Sequence, residues 1–191
     1  MSVLLTATDV FGIEADRFIE TGSGSGDSIA QMVPLYAEIH TIEWDRDNHV
    51  RCVQRFADQS HVSCHWGSSP DVLPLVIDPA KTTLFFLDAH YRGVGHHEQD
   101  PTRGECPLLA ELAVITAVPW ERQPVIIIDD AHQFTDEINP QDFDVAQWPR
   151  FDQIRDMLPN HDLTVRNDMI YGVPNEIKMP WVGAFFGGLQ A

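Results

Sequence analysis

The sequence predicts an α/β protein with a doubly wound, mostly parallel sheet of about seven strands. Two uninterrupted apolar runs, Thr83–Leu87 and Val125–Ile128, have the length and composition of strands that are buried on both faces. The segment between them, residues 107–118, carries leucine and isoleucine at helical spacing. A strand, a helix and a second strand in this order indicate a right-handed crossover between parallel strands.

The other elements follow from local patterns along the chain. An acidic residue opens the first predicted helix and a proline follows it, and the second predicted strand alternates apolar and polar residues. Before the two buried runs, the expected elements are a strand at 17–20, a helix at 27–33, a strand at Glu38–Glu43, a helix at 51–57 and a strand at Val62–Trp66. After them, residues 163–165 and 169–173 are expected to close the sheet as an antiparallel hairpin.

Length, charge and cysteine content restrict the class of protein. A chain of 191 residues fits one domain, which we expect to span residues 1–191. The net charge of −17 argues against nucleic acids and anionic membrane surfaces as partners. The N-terminus lacks the basic residues of a signal peptide, and the three cysteines have no CxxC spacing. These features predict a cytoplasmic protein.

A glycine-rich loop follows the first predicted strand. Its sequence, from Glu20 to Gly26, reads E-T-G-S-G-S-G and leads directly into a predicted helix. Glycines at such a turn let the backbone take positive φ angles and approach a ligand closely. The lysine of a nucleoside-triphosphate loop is absent, and the third glycine comes one residue too early for a dinucleotide fingerprint. The loop therefore predicts a different nucleotide-type ligand.

A second acidic residue, Glu43, ends the next predicted strand, 21 residues after Gly22. A carboxylate at this place can accept hydrogen bonds from both hydroxyls of a ribose. Trp44 follows it and could pack on a base, although packing in the core would explain this residue nearly as well.

Two similar motifs follow the two buried strands. Asp88 and His90 lie in Leu-Asp-Ala-His, and Asp129, Asp130 and His132 lie in Ile-Asp-Asp-Ala-His. Parallel neighbouring strands would bring these groups to one edge of the sheet, where their charges need compensation. A divalent cation is the simplest compensation, with carboxylates favouring Mg²⁺ and imidazoles shifting the preference toward Mn, Fe or Zn. Helix capping is the alternative role for these aspartates.

Between about residue 17 and residue 132, the sequence resembles the class I S-adenosylmethionine-dependent methyltransferases. The pattern E-x-G-x-G-x-G resembles their first motif, and the LDAH and IDDA signatures resemble uncharacterised bacterial members of the family. The resemblance implies a Rossmann-like fold and S-adenosylmethionine as the cofactor, with the Glu20 carboxylate near its ammonium group. The cofactor-binding residues that it implies are Glu20, Thr21, Gly22, Ser23, Gly24, Gly26, Asp27, Glu43, Trp44, Gly67, Ser68 and Asp88.

Metal-dependent O-methyltransferases carry acids at the positions of Asp88, Asp129 and Asp130, which we therefore expect to bind a divalent metal, Mg most readily. Asp88, His90 and His132 are the expected catalytic residues, with either histidine as a further ligand or the general base. The expected acceptor is a small hydroxylated molecule such as a sugar or a secondary metabolite. Loops at 91–105 and 133–150, or a second subunit in a homodimer, would cover it, and His96, His97 and Glu98 could line its pocket.

Two other functions fit parts of the sequence. A metallohydrolase would use the two Asp-Ala-His clusters to bind a pair of ions that activate water, but it leaves the glycine loop and Glu43 unexplained. A non-catalytic relative would keep the fold and the cofactor without turnover. A nicotinamide-dependent dehydrogenase is disfavoured by the glycine spacing.

Overall fold

A seven-stranded mixed sheet forms the centre of the protein, in a computed structural model that describes residues 15–91, 104–134 and 140–177. The predicted segments His96–Glu98 and parts of both long loops lie outside these residues. The strands are β1 (Arg17–Thr21), β2 (Glu38–Glu43), β3 (Val62–Trp66), β4 (Thr83–Leu87), β5 (Val125–Ile128), β6 (His161–Arg166) and β7 (Met169–Pro174).

The order of strands in the sheet is β3-β2-β1-β4-β5-β7-β6. The first five strands in this order are parallel, and β7 joins β5 antiparallel before it pairs with β6. Strands β4 and β5 are neighbours, with Leu87 opposite Ile128. The predicted fold class, the adjacency of the two buried strands and the closing hairpin are therefore confirmed.

Within the described ranges, five α-helices cover the two faces of the sheet. They are α1 (Asp27–Met32), α2 (Arg46–Arg55), α3 (Ser69–Val76), α4 (Leu108–Thr116) and α5 (Phe151–Met157). Successive residues of β1 point to opposite faces, so that Phe18 packs with α1 and α2 while Ile19 packs with α3 and α4. Both side chains are fully buried, as expected for a strand in the middle of a doubly wound sheet. None of the helices in the described ranges is long and apolar enough to cross a membrane.

Three helices differ from the sequence prediction. Helix α2 begins at Arg46 instead of residue 51, because the Asp45 side chain caps it by accepting a hydrogen bond of 2.8 Å from the Asn48 amide. Helix α3 was not predicted, since Pro74 lies inside it. Proline disfavours a helix interior, but the five buried or half-buried residues of α3, a helix that packs on α4 and β2, outweigh that local preference. The short helix α5 was also missed.

The turn between β6 and β7 consists of Asn167 and Asp168, which both have positive φ angles of 51° and 61°. This is the backbone of a two-residue hairpin whose twist matches that of the strands, and asparagine and aspartate tolerate it well. Because β7 is antiparallel to β5, this turn lies at the carboxyl edge of the parallel strands. The hairpin thus brings Asp168 next to the residues that follow β5.

A charged cluster ties β1, β2 and the connection to β4 together at the opposite edge. The Glu38 carboxylate contacts the buried Arg17 guanidinium, the Lys81 ammonium and the His40 ring, and Arg17 also donates a 2.7 Å hydrogen bond to the Val76 carbonyl. Burial alone would raise the pKa of Glu38, but the hydrogen bonds from Lys81, His40 and Arg17 lower it to about 2.

We predict that Glu38→Gln makes stability less dependent on pH below 5. The folded pKa of about 2 lies below the ordinary value of 4.5, so the contribution of Glu38 is present above pH 4.5 and is lost as the pH falls toward 2. Urea unfolding at pH 5 should show a stability difference between wild type and variant on the order of 2–3 kcal/mol, and this difference should shrink toward pH 2. Parallel stability curves over this interval would contradict the role of the cluster.

Candidate functional site

The candidate site lies along the carboxyl edge of β1, β2, β4 and β5, where the predicted residues converge. The end of β1 and the end of β4 are joined directly, since the Asp88 amide donates a 3.0 Å hydrogen bond to the Thr21 carbonyl. The Asp129 amide in turn donates to the Leu87 carbonyl at 3.1 Å. Edges of this kind, beyond the carboxyl ends of parallel strands, are where doubly wound folds bind their ligands.

The three glycines of the loop have positive φ angles of 81°, 49° and 78°. Their surroundings differ, so the reason why a side chain is disfavoured is not the same at each position. A Cβ atom at Gly22 would collide with the Asp88 carbonyl, and one at Gly26 would lie 2.8 Å from the Phe56 ring. A Cβ atom at Gly24 would meet no described atom within 4 Å. Gly22 and Gly26 are therefore required by packing inside the protein, whereas the backbone of Gly24 borders open space.

Glu43 braces the loop from the neighbouring strand. One carboxylate oxygen accepts hydrogen bonds from the Gly24 amide at 2.8 Å and the Ser23 hydroxyl at 3.3 Å, and the other accepts one from the Asp45 amide at 2.8 Å. Burial raises the pKa of Glu43, and these three donors oppose the increase. Since a carboxylate has about four acceptor positions, Glu43 retains capacity for a further donor at the loop.

Glu20 lies beneath the loop. Its carboxyl group is fully buried and accepts hydrogen bonds from the Thr41 hydroxyl at 2.7 Å and from the Ser28 hydroxyl. Burial, the largest effect, raises the pKa of Glu20 to about 8. A buried and largely neutral acid supports the loop from inside, and the direct contact with a cofactor ammonium that the resemblance implies would have to use the acceptor positions that the two hydroxyls leave open.

Asp27 has a different environment from the one expected. Its carboxylate pairs with Arg55 at 2.7 Å and accepts a hydrogen bond from the Ser25 hydroxyl at 2.8 Å at the exposed start of α1. These hydrogen bonds lower the pKa of Asp27. These contacts link α1 to α2, and cofactor binding by Asp27 stays a prediction.

The turn after β3 carries an unusual hydroxyl group. Ser68 is 5% exposed, and its side-chain oxygen has no hydrogen-bond partner within the described part of the chain. Most buried polar groups have a partner, so this oxygen is a candidate contact for a ligand. Gly67 joins the turn to β2 through a 3.0 Å bond from its amide to the Glu43 carbonyl. Trp44 is half-buried nearby, and its carbonyl accepts a 3.0 Å hydrogen bond from the Trp66 indole.

Beyond β4 and β5, the structure groups Asp88, His90 and Asp130. The His90 Nε2 atom lies 3.0 Å from a carboxylate oxygen of Asp130 and 3.6 Å from one of Asp88. Burial alone would lower the pKa of His90, but the hydrogen bond to Asp130 and the charges of Asp88, Asp130 and Asp129 raise it. One nitrogen and two carboxylate groups that converge in this way can hold a divalent metal ion.

Asp129 does not belong to this group, contrary to the sequence prediction. The ligand atoms that lie within 4.8 Å of one another come from Asp88, His90 and Asp130. The strand β5 ends at Ile128, and two residues later the backbone of Asp130 turns into the left-handed region with a φ of 51°. The neighbouring Asp130 therefore provides the converging carboxylate, while Asp129 contributes charge.

His132 is exposed and forms a pair with Asp168. The His132 Nδ1 atom lies 2.8 Å from one carboxylate oxygen of Asp168, and the His132 amide donates a 2.9 Å hydrogen bond to the other. Asp130, His132 and Asp168 form a second group with converging ligand atoms, so Asp130 is common to both. Sequence reasoning missed Asp168, although an Asn-Asp pair between two alternating segments is a signal for a hairpin turn.

Aromatic residues hold the His90 ring from its other side. Trp148 lies edge-on to the His90 ring with centroids 5.4 Å apart, and Phe134 lies at 6.3 Å. The Trp148 indole donates a 2.8 Å hydrogen bond to the buried Glu105, which fixes the segment before α5 against the site. His90 is thus a positioned group with little freedom, better suited to binding than to exchanging protons with solvent.

Sequence reasoning also missed Glu111 of α4, which is buried beneath the site. Its carboxyl group accepts a hydrogen bond from the Ser69 hydroxyl and lies beside the Thr21 hydroxyl. In the sequence Glu111 is one acid in an apolar helix, and only the packing of α4 against α3 identifies Ser69 as its neighbour.

Comparison with known proteins adds information about the fold. No protein-family model matches this chain, and no curated protein sequence matches it. Solved structures do match: a provisionally assigned caffeoyl-CoA O-methyltransferase from Staphylococcus aureus has a TM-score of 0.63 at 13% identity, over 84% of this chain and 77% of that one. An rRNA methylase from Streptococcus thermophilus has a TM-score of 0.53 at 12% identity, over 87% of this chain and 91% of that one.

A fibrillarin from Aeropyrum pernix, solved with natively bound S-adenosyl-L-methionine, has a TM-score of 0.51 at 14% identity, over 84% of this chain and 67% of that one. Identities this low establish a likeness of fold alone. The acceptor and the chemistry therefore have to be inferred from the residues of the site. This chain therefore has the Rossmann-like fold that these methyltransferases share.

Proposed function

We propose that this protein binds S-adenosylmethionine at the glycine loop and methylates an oxygen atom of a small hydroxylated acceptor with the assistance of a divalent metal ion. The observation that carries the proposal is the open space at Gly24. Contacts within the protein leave no room for a side chain at the other two glycines of the loop, whereas Gly24 combines a left-handed φ of 49° with open space that a ligand against its backbone can occupy.

The residues around Gly24 fit the parts of this cofactor. Glu43 has acceptor capacity for ribose hydroxyls, and the buried Ser68 hydroxyl can pair with a polar edge of the adenine. The half-buried Trp44, which directly follows Glu43, is our candidate for packing beside the base. When bound, S-adenosylmethionine supplies an activated methyl group, so the chain itself has mainly to bind and orient the reactants.

Asp88, His90 and Asp130 are the residues that would hold the metal ion. Their two carboxylates and one imidazole suit Mg²⁺ or Mn²⁺, with Fe and Zn as alternatives. When bound, such an ion lowers the pKa of an acceptor hydroxyl and fixes its direction. The Thr21–Asp88 hydrogen bond holds this group directly beside the cofactor loop, as a transfer between two ligands requires.

His132 is the better candidate for the general base, and Asp168 orients it. The Asp168 carboxylate fixes Nδ1 of an imidazole that is exposed at the edge of the site, which directs the opposite nitrogen away from the pair. A histidine held by a carboxylate in this way is a common proton acceptor. His90, in contrast, is buried between acidic and aromatic side chains.

The charge of the chain favours a small acceptor over RNA. Two of the structural neighbours are an rRNA methylase and a fibrillarin. Polyanion binding relies on clustered basic residues, whereas this chain has 12 Lys and Arg against 29 Asp and Glu. We therefore propose that the shared fold serves a neutral or cationic small molecule here.

A metallohydrolase remains the second candidate, because two metal-binding groups share Asp130. A carboxylate that bridges two ions would suit activation of water. Binding of two metal ions per chain by a protein that does not bind S-adenosylhomocysteine would favour this function over methyl transfer.

We predict that side chains at Gly24 weaken cofactor binding in proportion to their size. Gly24→Ala and Gly24→Val both strain the backbone at a φ of 49°, the β-branched valine more than alanine, so the affinity of each variant is measured well below its own unfolding transition. Calorimetric titration with S-adenosylhomocysteine should show an affinity loss that grows from ~10-fold for alanine to ~100-fold for valine. Equal affinities for the two variants and the wild type would refute the placement of the cofactor.

We predict opposite effects on affinity and stability for Ser68→Ala. The variant removes a buried hydroxyl without a described partner, so the unfolding free energy should stay constant or rise. The affinity for S-adenosylhomocysteine should fall by ~5–10-fold, the contribution of about one hydrogen bond. A loss of stability with unchanged affinity would show that Ser68 has a structural partner instead.

We predict that Asp130→Asn abolishes metal binding and that Asp129→Asn does not. Both variants remove one negative charge from adjacent residues, and asparagine tolerates the left-handed backbone of Asp130. Titration with Mn²⁺, followed by electron paramagnetic resonance, should show an affinity loss of at least ~10-fold for Asp130→Asn and less than ~3-fold for Asp129→Asn. Equal losses, or wild-type protein that binds no Mn²⁺, would contradict the metal site.

A further inference from the structure

The second half of the glycine loop contains a segment that its own sequence leaves free to turn. Ser25 lies between Gly24 and Gly26, which both have left-handed φ angles, of 49° and 78°. Glycine has no Cβ atom to restrict its backbone, so the peptide groups on either side of Ser25 can rotate at little steric cost. A fixed orientation of these groups therefore depends on contacts from outside the segment.

Helix α2 supplies such a contact through Arg55. The Arg55 Nη1 atom donates a 2.6 Å hydrogen bond to the Ser25 carbonyl and a 2.7 Å hydrogen bond to the Asp27 carboxylate. The same carboxylate accepts a 2.8 Å hydrogen bond from the Ser25 hydroxyl. The guanidinium carbon lies 5.5 Å from the centre of the Phe56 ring, and this ring leaves no room for a side chain at Gly26. Arg55 thus contacts the loop, α1 and the end of its own helix.

We propose that Arg55 is a positioning residue that holds the second half of the glycine loop, Ser25 and Gly26, in the conformation that binds the cofactor. This inference rests on the proposed function, since the loop is the proposed binding element. It assigns to α2 a role that the glycine pattern does not contain, because Arg55 lies 30 residues after Ser25 in the sequence.

One peptide group connects this hydrogen bond to the turn of the loop. The Ser25 carbonyl and the Gly26 amide belong to the same planar unit, and the Gly26 amide donates a 2.7 Å hydrogen bond to the Ser23 carbonyl. A rotation that takes the Ser25 carbonyl away from Arg55 therefore also takes the Gly26 amide away from Ser23. The turn that leads into α1 consequently depends on both hydrogen bonds.

The first half of the loop has a separate brace on β2. The Gly24 amide donates a 2.8 Å hydrogen bond to the Glu43 carboxylate, and the Gly22 amide donates one of 2.8 Å to the Ile42 carbonyl. These contacts do not involve Arg55. We therefore expect loss of the Arg55 side chain to release the second half of the loop while the first half and the sheet stay in place.

The ion pair between Arg55 and Asp27 is a weak contribution to the stability of the fold. The two side chains are 39% and 75% exposed, and exposed ion pairs contribute little to the free energy of unfolding. The hydrogen bond to the Ser25 carbonyl acts locally, on the orientation of one peptide group. Replacement of Arg55 should therefore change the affinity of the loop for its ligand more than it changes stability.

The test compares Arg55→Met with the control Arg51→Met. Arg51 is exposed one turn earlier on α2 and donates a 2.7 Å hydrogen bond to Asn48 of the same helix, so its replacement removes the same charge and leaves the contacts of Arg55 intact. Calorimetric titration with S-adenosylmethionine should show an affinity loss of ~5–10-fold for Arg55→Met and a change of less than ~2-fold for Arg51→Met. Because the sulfonium is cationic, loss of a positive charge alone would strengthen binding, which is the opposite of the effect expected for Arg55→Met.

Amide hydrogen exchange of the protein without ligand measures the loop directly. In Arg55→Met, exchange should accelerate at the Gly26 amide and remain unchanged at the Gly22 amide, whereas Arg51→Met should change neither. Wild-type affinity in Arg55→Met, or an equal loss in Arg51→Met, would overturn the positioning role. If the wild type binds no S-adenosylmethionine, the proposed function fails, and unchanged exchange at Gly26 in Arg55→Met would overturn the role of Arg55 separately.

Discussion

The close approach of Gly22 to the Asp88 carbonyl is the constraint on which the rest of the site depends. It joins the ends of β1 and β4 so tightly that no side chain fits between them, and the Thr21–Asp88 hydrogen bond locks the same junction. The chain continues from this junction to the open backbone of Gly24 after β1 and to the group containing His90 after β4. A cofactor and an acceptor would thus be held by one rigid element, which is what a direct transfer between them needs.

The strand order of the doubly wound sheet is enough to bring the residues of this junction together. Placing β1 between β2 and β4 brings the first glycine loop next to the end of β4, and placing β5 beside β4 adds Asp130. The antiparallel strand β7 then returns the chain to the same edge, so that Asp168 reaches His132. The strand order therefore brings together four segments that are distant in the sequence: the glycine loop, the end of β4, the residues after β5 and the turn between β6 and β7.

The sequence was informative where local chemistry and strand ends coincide. The two buried runs were predicted correctly as strands. The glycine loop and the acids after β4 and β5 were correctly expected at strand ends, because each of these features depends on adjacent residues. Sequence alone could not separate Gly24 from the packed glycines on either side of it, since the neighbours that distinguish them come from α2 and β4. It could not identify Glu111 or the choice of Asp130 over Asp129 for the same reason, because both depend on which way a side chain points after the chain has folded.

The concentration of acids at this edge also bears on the kind of ligand it suits. Burial raises the pKa values of Glu20, Glu43 and Glu111, and the charge of Asp88 raises that of Glu20 further. Raised values mean that the charged forms of these acids are disfavoured in the protein alone. A cationic ligand would reverse this, because a positive charge close to a buried carboxylate stabilises its ionised form. A sulfonium cofactor beside the glycine loop and a divalent ion beside Asp88 are both cations. The buried acids therefore favour the two cationic ligands that we propose. The open backbone of the glycine loop favours the cofactor independently, because it depends on different residues.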